Sequence, residues 1–273
     1  MNVVFMGTPD FARESLEKLY NEGHNIELVI TNPDKPKGRG MKLCPSPVKE
    51  FAIEKGLNVS EPLKIRECTE KIKEIVPDVI VVVAYGKIIP NEIIEIPKFG
   101  TVNVHGSLLP KYRGAAPIQW AIINGEKKTG ITTMFINEKM DEGDILLKQE
   151  VEIDEDETLG ELWQRLSKVG AELLIDTLKQ IELGTVKPVP QISSEASYAP
   201  MLTKEMSEIN WNTMSALEIK NLIRGLNPIM GAFSFLNDEK IKFWKATVIK
   251  DEQFEVEKVR YYSFCRRKEW FTD

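Results

Sequence analysis

Two polar residues stand where a strand has no structural need of them. In the run Val102-Asn103-Val104-His105-Gly106-Ser107-Leu108-Leu109-Pro110, side chains of an extended segment alternate between faces, so Asn103 and His105 share one face while Val102 and Val104 share the other. An amide and an imidazole are thereby set side by side at the end of a strand, and Gly106 lets the backbone turn or a ligand approach closely. The chain has two histidines; the other, His24, lies in the polar Asn21–Asn25 turn and reads as a surface residue. Downstream, the apolar segment Gly130–Ile136 runs into Asn137-Glu138-Lys139-Met140-Asp141-Glu142-Gly143-Asp144, an acidic loop expected at the same edge of the sheet. An acid there can pair with His105 and favour its charged form, with Asp141 and Asp144 as competing candidates. Asn103 can donate a hydrogen bond to a developing oxyanion. No serine or cysteine sits in a recognisable nucleophile elbow, so the chemistry reads as direct acyl or formyl transfer without a covalent enzyme intermediate.

Such a group needs a scaffold, and the rest of the chain predicts one. Asn2–Met6 reads as a buried strand that turns through Gly7-Thr8-Pro9 into a helix from about Asp10 to Tyr20. Ile26–Ile30 is a second apolar run, and Pro47–Lys55 reads as a helix closed by Gly56. Val79–Ala84 is a continuous apolar run without polar alternation, the mark of a strand covered on both faces. Gly100–Val104 and Gly130–Ile136 add strands, and Thr158–Glu182 carries leucines at helical spacing. Strands separated by helices imply a doubly wound, Rossmann-like α/β domain with a mostly parallel sheet, over residues 1–183. Residues 184–204, with Pro188, Pro190 and Pro200, read as a linker. In residues 205–273 a helix around Ala216–Arg224 precedes the alternating segments Ala232–Phe235 and Lys240–Ile249, which predict a smaller β-rich domain. The Gly7-Thr8-Pro9 turn is no dinucleotide fingerprint, which argues against a nicotinamide enzyme.

At 273 residues the chain has room for two domains. No apolar run approaches the ~18–20 residues that a membrane span needs, and the first residues lack a signal-peptide pattern. Cys44, Cys68 and Cys265 show no metal-ligand spacing, so no metal site and a cytoplasmic setting are expected. The net charge of −6 hides a segregation. Acids crowd Glu150–Glu161 without a lysine or arginine, whereas Thr31–Lys49 carries Lys35, Lys37, Arg39, Lys42 and Lys49 against Asp34 alone. Local potential, more than the sum, steers a polyanion; solvated faces are the plain alternative for both runs.

The run Asn103-Val104-His105-Gly106-Ser107-Leu108-Leu109-Pro110-Lys111-Tyr112-Arg113-Gly114-Ala115-Ala116-Pro117 resembles the signature of the folate-dependent formyltransferases, which move a formyl group from 10-formyltetrahydrofolate to an amine. The resemblance implies that Asn103, His105 and the Asp141 of Met140-Asp141-Glu142-Gly143-Asp144 are catalytic. It further implies that Ser107, Leu108, Leu109 and Pro110, together with Val83, Tyr85 and Gly86, border the folate. The opening Val4–Ala12 and the basic stretch Thr31–Lys49 resemble the members whose amine acceptor is methionine carried on initiator tRNA. By that resemblance Arg39, with Lys37 and Lys42, would contact acceptor-stem phosphates. The likeness continues through Ile209-Asn210-Trp211 and Ile223-Arg224 into what would be the family's small oligonucleotide-binding (OB-like) barrel. A monomer is expected.

The tail departs from the family. Beyond residue 204 too few residues remain to close a five-stranded barrel, and Val259–Asp273 does not resemble the family's usual ending. The second domain is therefore expected to be truncated and to leave unpaired strand edges. Two other readings stay open on the residues alone. A formyltransferase for a small amine would keep Asn103, His105 and Asp141 without needing the basic loop. An RNA-binding protein without turnover would need the loop but not the trio.

Overall fold

A computed structural model describes residues 1–37 and 42–249. In chain order its elements are β1 (Asn2–Gly7), α1 (Asp10–Asn21), β2 (Asn25–Ile30), β3 (Lys35–Lys37), β4 (Lys42–Cys44), α2 (Pro47–Glu54), β5 (Val59–Ser60), α3 (Thr69–Ile75) and β6 (Val79–Val83). There follow α4 (Asn91–Ile94), β7 (Thr101–His105), α5 (Pro117–Ile123), β8 (Lys128–Phe135), β9 (Ile145–Glu152), α6 (Leu159–Glu182), α7 (Ala216–Leu226), β10 (Ala232–Leu236) and β11 (Glu239–Phe243). The strands of the first domain form a seven-stranded sheet in the order β5-β2-β1-β6-β7-β8-β9. Five are parallel, while β8 runs antiparallel to β7 and β9 antiparallel to β8.

The apolar runs work as their period requires. Val3 and Phe5 of β1, and Val79, Val81 and Val83 of β6, join one core with α1, α2, α5 and α6. Val4, Met6, Ile80 and Val82 join a second core on the opposite face, where α3 and α4 pack. A strand buried on both faces can be apolar throughout. In β7 the rule is kept on one face only: Val102 and Val104 enter the first core, and Asn103 and His105 turn to the other side. The long helix α6 is started by Thr158, whose hydroxyl accepts from Glu161 N–H while the Glu161 carboxylate accepts from Thr158 N–H, which satisfies two otherwise orphaned donors.

The sheet is mostly parallel, as expected, with one mixed edge because β8 and β9 form a hairpin, and a hairpin can only be antiparallel. Other expectations change. The hairpin β3–β4, β5, α3, α4 and α5 are additions to the expected elements, each too brief to show a period, and the eight-residue β9 is a further one. Segment 240–249 is strand only to Phe243, so the described residues of the second domain contribute α7 and the pair β10–β11. The divergent stretch Val259–Asp273 lies outside the described residues. Segment 184–204 is no free tether. Val189 exchanges backbone hydrogen bonds with Ile145, and Ser197 and Ala199 bond to the backbone of Pro110, Arg113 and Ala116.

The acidic run is also more than a solvated face. Lys220 of α7 reaches Asp156 at 2.7 Å and Glu155 at 3.3 Å. Arg224 donates to the carbonyl oxygens of Asp154 and Glu157, and Glu157 itself is held by Arg165. The loop before α6 thus fastens the second domain to the first. His24 likewise is not simply exposed: it is half-buried, and burial pushes its imidazole below the usual histidine range.

Candidate active site

A cavity of about 630 Å³ opens beyond the carboxyl ends of β6 and β7, near the point where the strand order reverses between β1 and β6. Open α/β sheets bind ligands at such a switch point because the loops there diverge to opposite faces. Asn32 ties the two diverging turns together, its amide donating to Thr8 Oγ1 and to the carbonyl of Tyr85, each at 2.9 Å. Phe11, Ile118 and Trp163 give the cavity apolar walls. Phe11 and Trp163 meet edge to face at 5.1 Å, and the indole donates to Asp10, so this wall is fixed in place.

Asn103, His105, Gly106 and Asp141 all line the cavity. His105 is 6% exposed. Its Nε2 lies 2.9 Å from the carbonyl oxygen of Tyr112. A carbonyl can only accept, so Nε2 carries the hydrogen of this bond. Nδ1 is then the nitrogen that faces the acid: Asp141 Oδ1 is 3.6 Å away. The other carboxylate oxygen of Asp141 accepts from Gly114 N–H at 2.8 Å. Asp141 therefore reaches His105 from a backbone-anchored position, and Asp144 does not line the cavity. The amide of Asn103 is half-buried and has no side-chain hydrogen bond among the described residues, which leaves its donors free for a ligand.

The segment between β7 and α5 delivers these contacts. Thr132 Oγ1 donates to the carbonyl of Ser107 and accepts from Leu109 N–H, while Ser107 Oγ donates to the carbonyl of Lys111. These bonds fold residues 107–111 back so that the Tyr112 carbonyl comes under His105. Gly114 has φ +121°, and a Cβ there would lie 2.7 Å from the Ala199 carbonyl. Only glycine can present its N–H to Asp141 while passing so close to another backbone.

Of the folate-bordering residues expected from the sequence, Tyr85 and Gly86 line the cavity. Val83, Ser107, Leu108, Leu109 and Pro110 do not. Val83 is in the main core, and Leu109 packs with Met134 and Ile145 in a small cluster of its own. Tyr85 is buried, which pushes its hydroxyl up to about 12. Lys37 and Lys42 are register partners across the β3–β4 hairpin, and Arg39 lies outside the described residues. Lys49 is not available to an anion in the way its sequence neighbourhood suggested: Asp34 and Glu61 hold it at 2.7 and 2.8 Å and raise its pKa.

Sequence reasoning gave no role to Arg113 or Gln191, yet both approach the acidic loop. Arg113 is 2% exposed and pairs with Glu142 at 3.0 Å. Gln191 contacts Arg113 and two carbonyls of the loop. Arg113 sat inside the motif and was legible as an unexplained charge. Nothing local marked Gln191, since its partners are distant in sequence.

Comparison with known proteins gives the family. Residues 1–178 match the family described as formyl transferase, and residues 201–258 match the formyl transferase C-terminal domain. The methionyl-tRNA formyltransferase of Ruminiclostridium cellulolyticum is 53% identical over 251 residues, which cover 91% of this chain and 80% of that protein. That of Clostridioides difficile is 53% identical over 254 residues, covering 92% and 82%. Among solved structures, the N-formyltransferase from Helicobacter canadensis, in complex with folinic acid and dTDP-3-aminofucose, superposes with a TM-score of 0.70 at 22% identity, over 93% of this chain and 92% of that one. HypX from Aquifex aeolicus in complex with tetrahydrofolic acid gives 0.68 at 17% identity, over 89% and 37%. These last two speak for the fold. Identity above one half across nine-tenths of the chain speaks for more: the chain belongs to the methionyl-tRNA formyltransferase family.

Proposed function

We propose that this chain transfers the formyl group of 10-formyltetrahydrofolate to the α-amine of methionine on initiator tRNA, giving the formyl-methionyl-tRNA used to start translation. The observation that carries the chemistry is the meeting of Asn103, His105 and Asp141 on one cavity. Its volume suits a small-molecule site, for which ~300–1,000 Å³ is usual. Apolar walls and a few convergent polar groups fit a folate whose reactive end needs hydrogen bonds. The folate is a substrate that supplies a formyl group on nitrogen.

The residues divide the work. Asn103 donates to the carbonyl oxygen as it gains negative charge, a stabilisation worth ~100–1,000-fold for one preorganised donor. Tyr112 fixes Nε2 of His105, so Nδ1 is the nitrogen that works on substrate. With Asp141 beside it, Nδ1 takes the proton lost by the amine, directly or through one water, and the resulting imidazolium lies beside the oxyanion. The new bond joins the amine nitrogen to the formyl carbon; the bond from that carbon to the folate nitrogen breaks. His105 returns the proton to the departing nitrogen.

Arg39, Lys37 and Lys42 serve the tRNA, neutralising phosphates of the acceptor stem. Residues 1–183 act as the catalytic domain and 205–273 as a tRNA-binding domain, joined by 184–204. The enzyme works as a cytoplasmic monomer. The test is formyl transfer by the purified chain, offered initiator Met-tRNA or small amines in parallel. Formyl-methionyl-tRNA as product, reduced by more than ~100-fold in His105→Ala, is expected. Formylation of a small amine alone would replace the acceptor, and full activity in His105→Ala would remove that residue from the mechanism.

A further inference from the structure

The contacts of Gln191 use an amide in the one orientation that chemistry allows. Its Oε1 accepts from Arg113 Nε at 3.0 Å and Nη2 at 2.8 Å. Its Nε2 donates to the carbonyl of Asp141 and the carbonyl of Gly143, both at 2.8 Å. Turned over, the amide would set donor against guanidinium and oxygen against two carbonyls. A carboxylate could satisfy Arg113 but not the carbonyls, and a cation the reverse. The third arm of Arg113, Nη1, pairs with Glu142 at 3.0 Å. The backbone of Arg113 is held from the same linker, by Ser197 and Ala199. Three consecutive loop residues, Asp141, Glu142 and Gly143, are thus fastened through Arg113 and Gln191. The clamp matters because Asp141 has φ +53°, a conformation that a non-glycine residue keeps only where its surroundings impose it.

We infer that Gln191 is a positioning residue for Asp141: the segment leading to the second domain sets the approach of the carboxylate to His105, with Arg113 as the rigid partner. The inference rests on the proposed role of Asp141 and adds a route by which the state of the second domain reaches the chemistry. When the linker is displaced, Gln191 withdraws its two donors, and the loop loses the restraint that keeps Asp141 3.6 Å from Nδ1.

The test uses the full chain labelled with ¹⁵N-histidine. With two histidines in the sequence, the ring resonances of His105 are assigned by their absence in His105→Ala. Gln191→Ala removes the whole amide. Gln191→Glu keeps the acceptor for Arg113 and removes both donors, and the half-buried site has room for it. In each, the His105 ring nitrogens are expected to move in the direction that Asp141→Asn moves them. Turnover number should fall by ~10–100-fold, the scale of a small misplacement at the reacting centre. KM for the formyl donor and for Met-tRNA should stay within about two-fold, and melting should remain cooperative, since neither substrate site is touched. Wild-type His105 resonances, or an unchanged turnover number, in either folded variant would overturn the inference. If the wild-type chain formylates no Met-tRNA, the proposed function falls, while the nitrogen resonances still decide whether Gln191 positions Asp141.

Discussion

Replacing Asp141 by asparagine removes one charge and almost nothing else, which makes its effect calculable. The carbonyl oxygen of the substituted amide can still accept from Gly114 N–H, so the loop anchor survives. What is lost is the carboxylate 3.6 Å from His105 Nδ1. At that separation the attraction between a carboxylate and an imidazolium is ~5 kcal/mol with an effective dielectric of about 20, and ~1 kcal/mol in bulk water. Both side chains are largely withdrawn from solvent, at 6% and 15% exposure, so the attraction lost from the transition state lies between these limits, at about 3 kcal/mol. That converts to a fall of ~100-fold in the rate of transfer. The NH₂ of the new amide also faces Nδ1 and can donate to it, which occupies the nitrogen that must take the proton and works in the same direction. Single-turnover transfer to Met-tRNA, with folate binding measured separately, isolates the step. Folate affinity should change by less than about three-fold, because the carboxylate acts on the imidazole and not on the bound donor. A loss of transfer below about five-fold, with the fold intact, would refute the electrostatic account of the pair. Asp144→Asn is the control, expected within about two-fold of wild type as a change away from the site.

Gly143→Ala would drive a Cβ into the carbonyl oxygen of Phe135, so the loop must shift and carry Asp141 with it. Turnover should drop by at least ~10-fold while the core still melts cooperatively; wild-type turnover would show that the loop is not held where the structure puts it. Arg224→Ala takes the guanidinium from the carbonyls of Asp154, which keeps Glu157 N–H, and of Glu157 and should cost about 2–3 kcal/mol in denaturant unfolding, with partial recovery in Arg224→Lys. A change under about 0.5 kcal/mol would show that the acidic loop does not secure α7. Arg39→Ala should weaken use of Met-tRNA and flatten its salt dependence by about one phosphate contact, with KM for the folate unchanged. Equal damage to both substrates would point to misfolding instead.

Periodicity made the larger part of the fold legible. Val3-Val4-Phe5-Met6 and Val79–Val83 are apolar at every position because both faces of their strands are covered. The leucines of α6 recur at helical spacing because one stripe of the helix faces the sheet. Where an element was too short to show a period, as in β5 or α4, or where direction depends on a partner, as in β8, the sequence was silent, and β9 was read only as part of an acidic run. The run Glu150–Glu161 shows a further limit. Charge counting suggests a solvated surface, whereas the loop's carboxylates and carbonyls meet Lys220 and Arg224 from more than sixty residues away.

The candidate site divides along the same line. Asn103 and His105 could be read from sequence because local geometry alone places them: alternation puts two polar side chains on one face at the end of a strand, and Gly106 follows at once. Asp141 was legible as one of two acids in a loop, preferred over Asp144 by its place in the motif alone; the fold adds the physical reason, since the bond from Gly114 brings one carboxylate and not the other to Nδ1. The tautomer of His105, fixed by a carbonyl seven residues on, was a tertiary matter too. So was Gln191, whose partners lie 48 to 78 residues away. Side-chain period and backbone stereochemistry are local and are written residue by residue. Which donor meets which acceptor across a chain reversal depends on packing, and packing is a property of the whole.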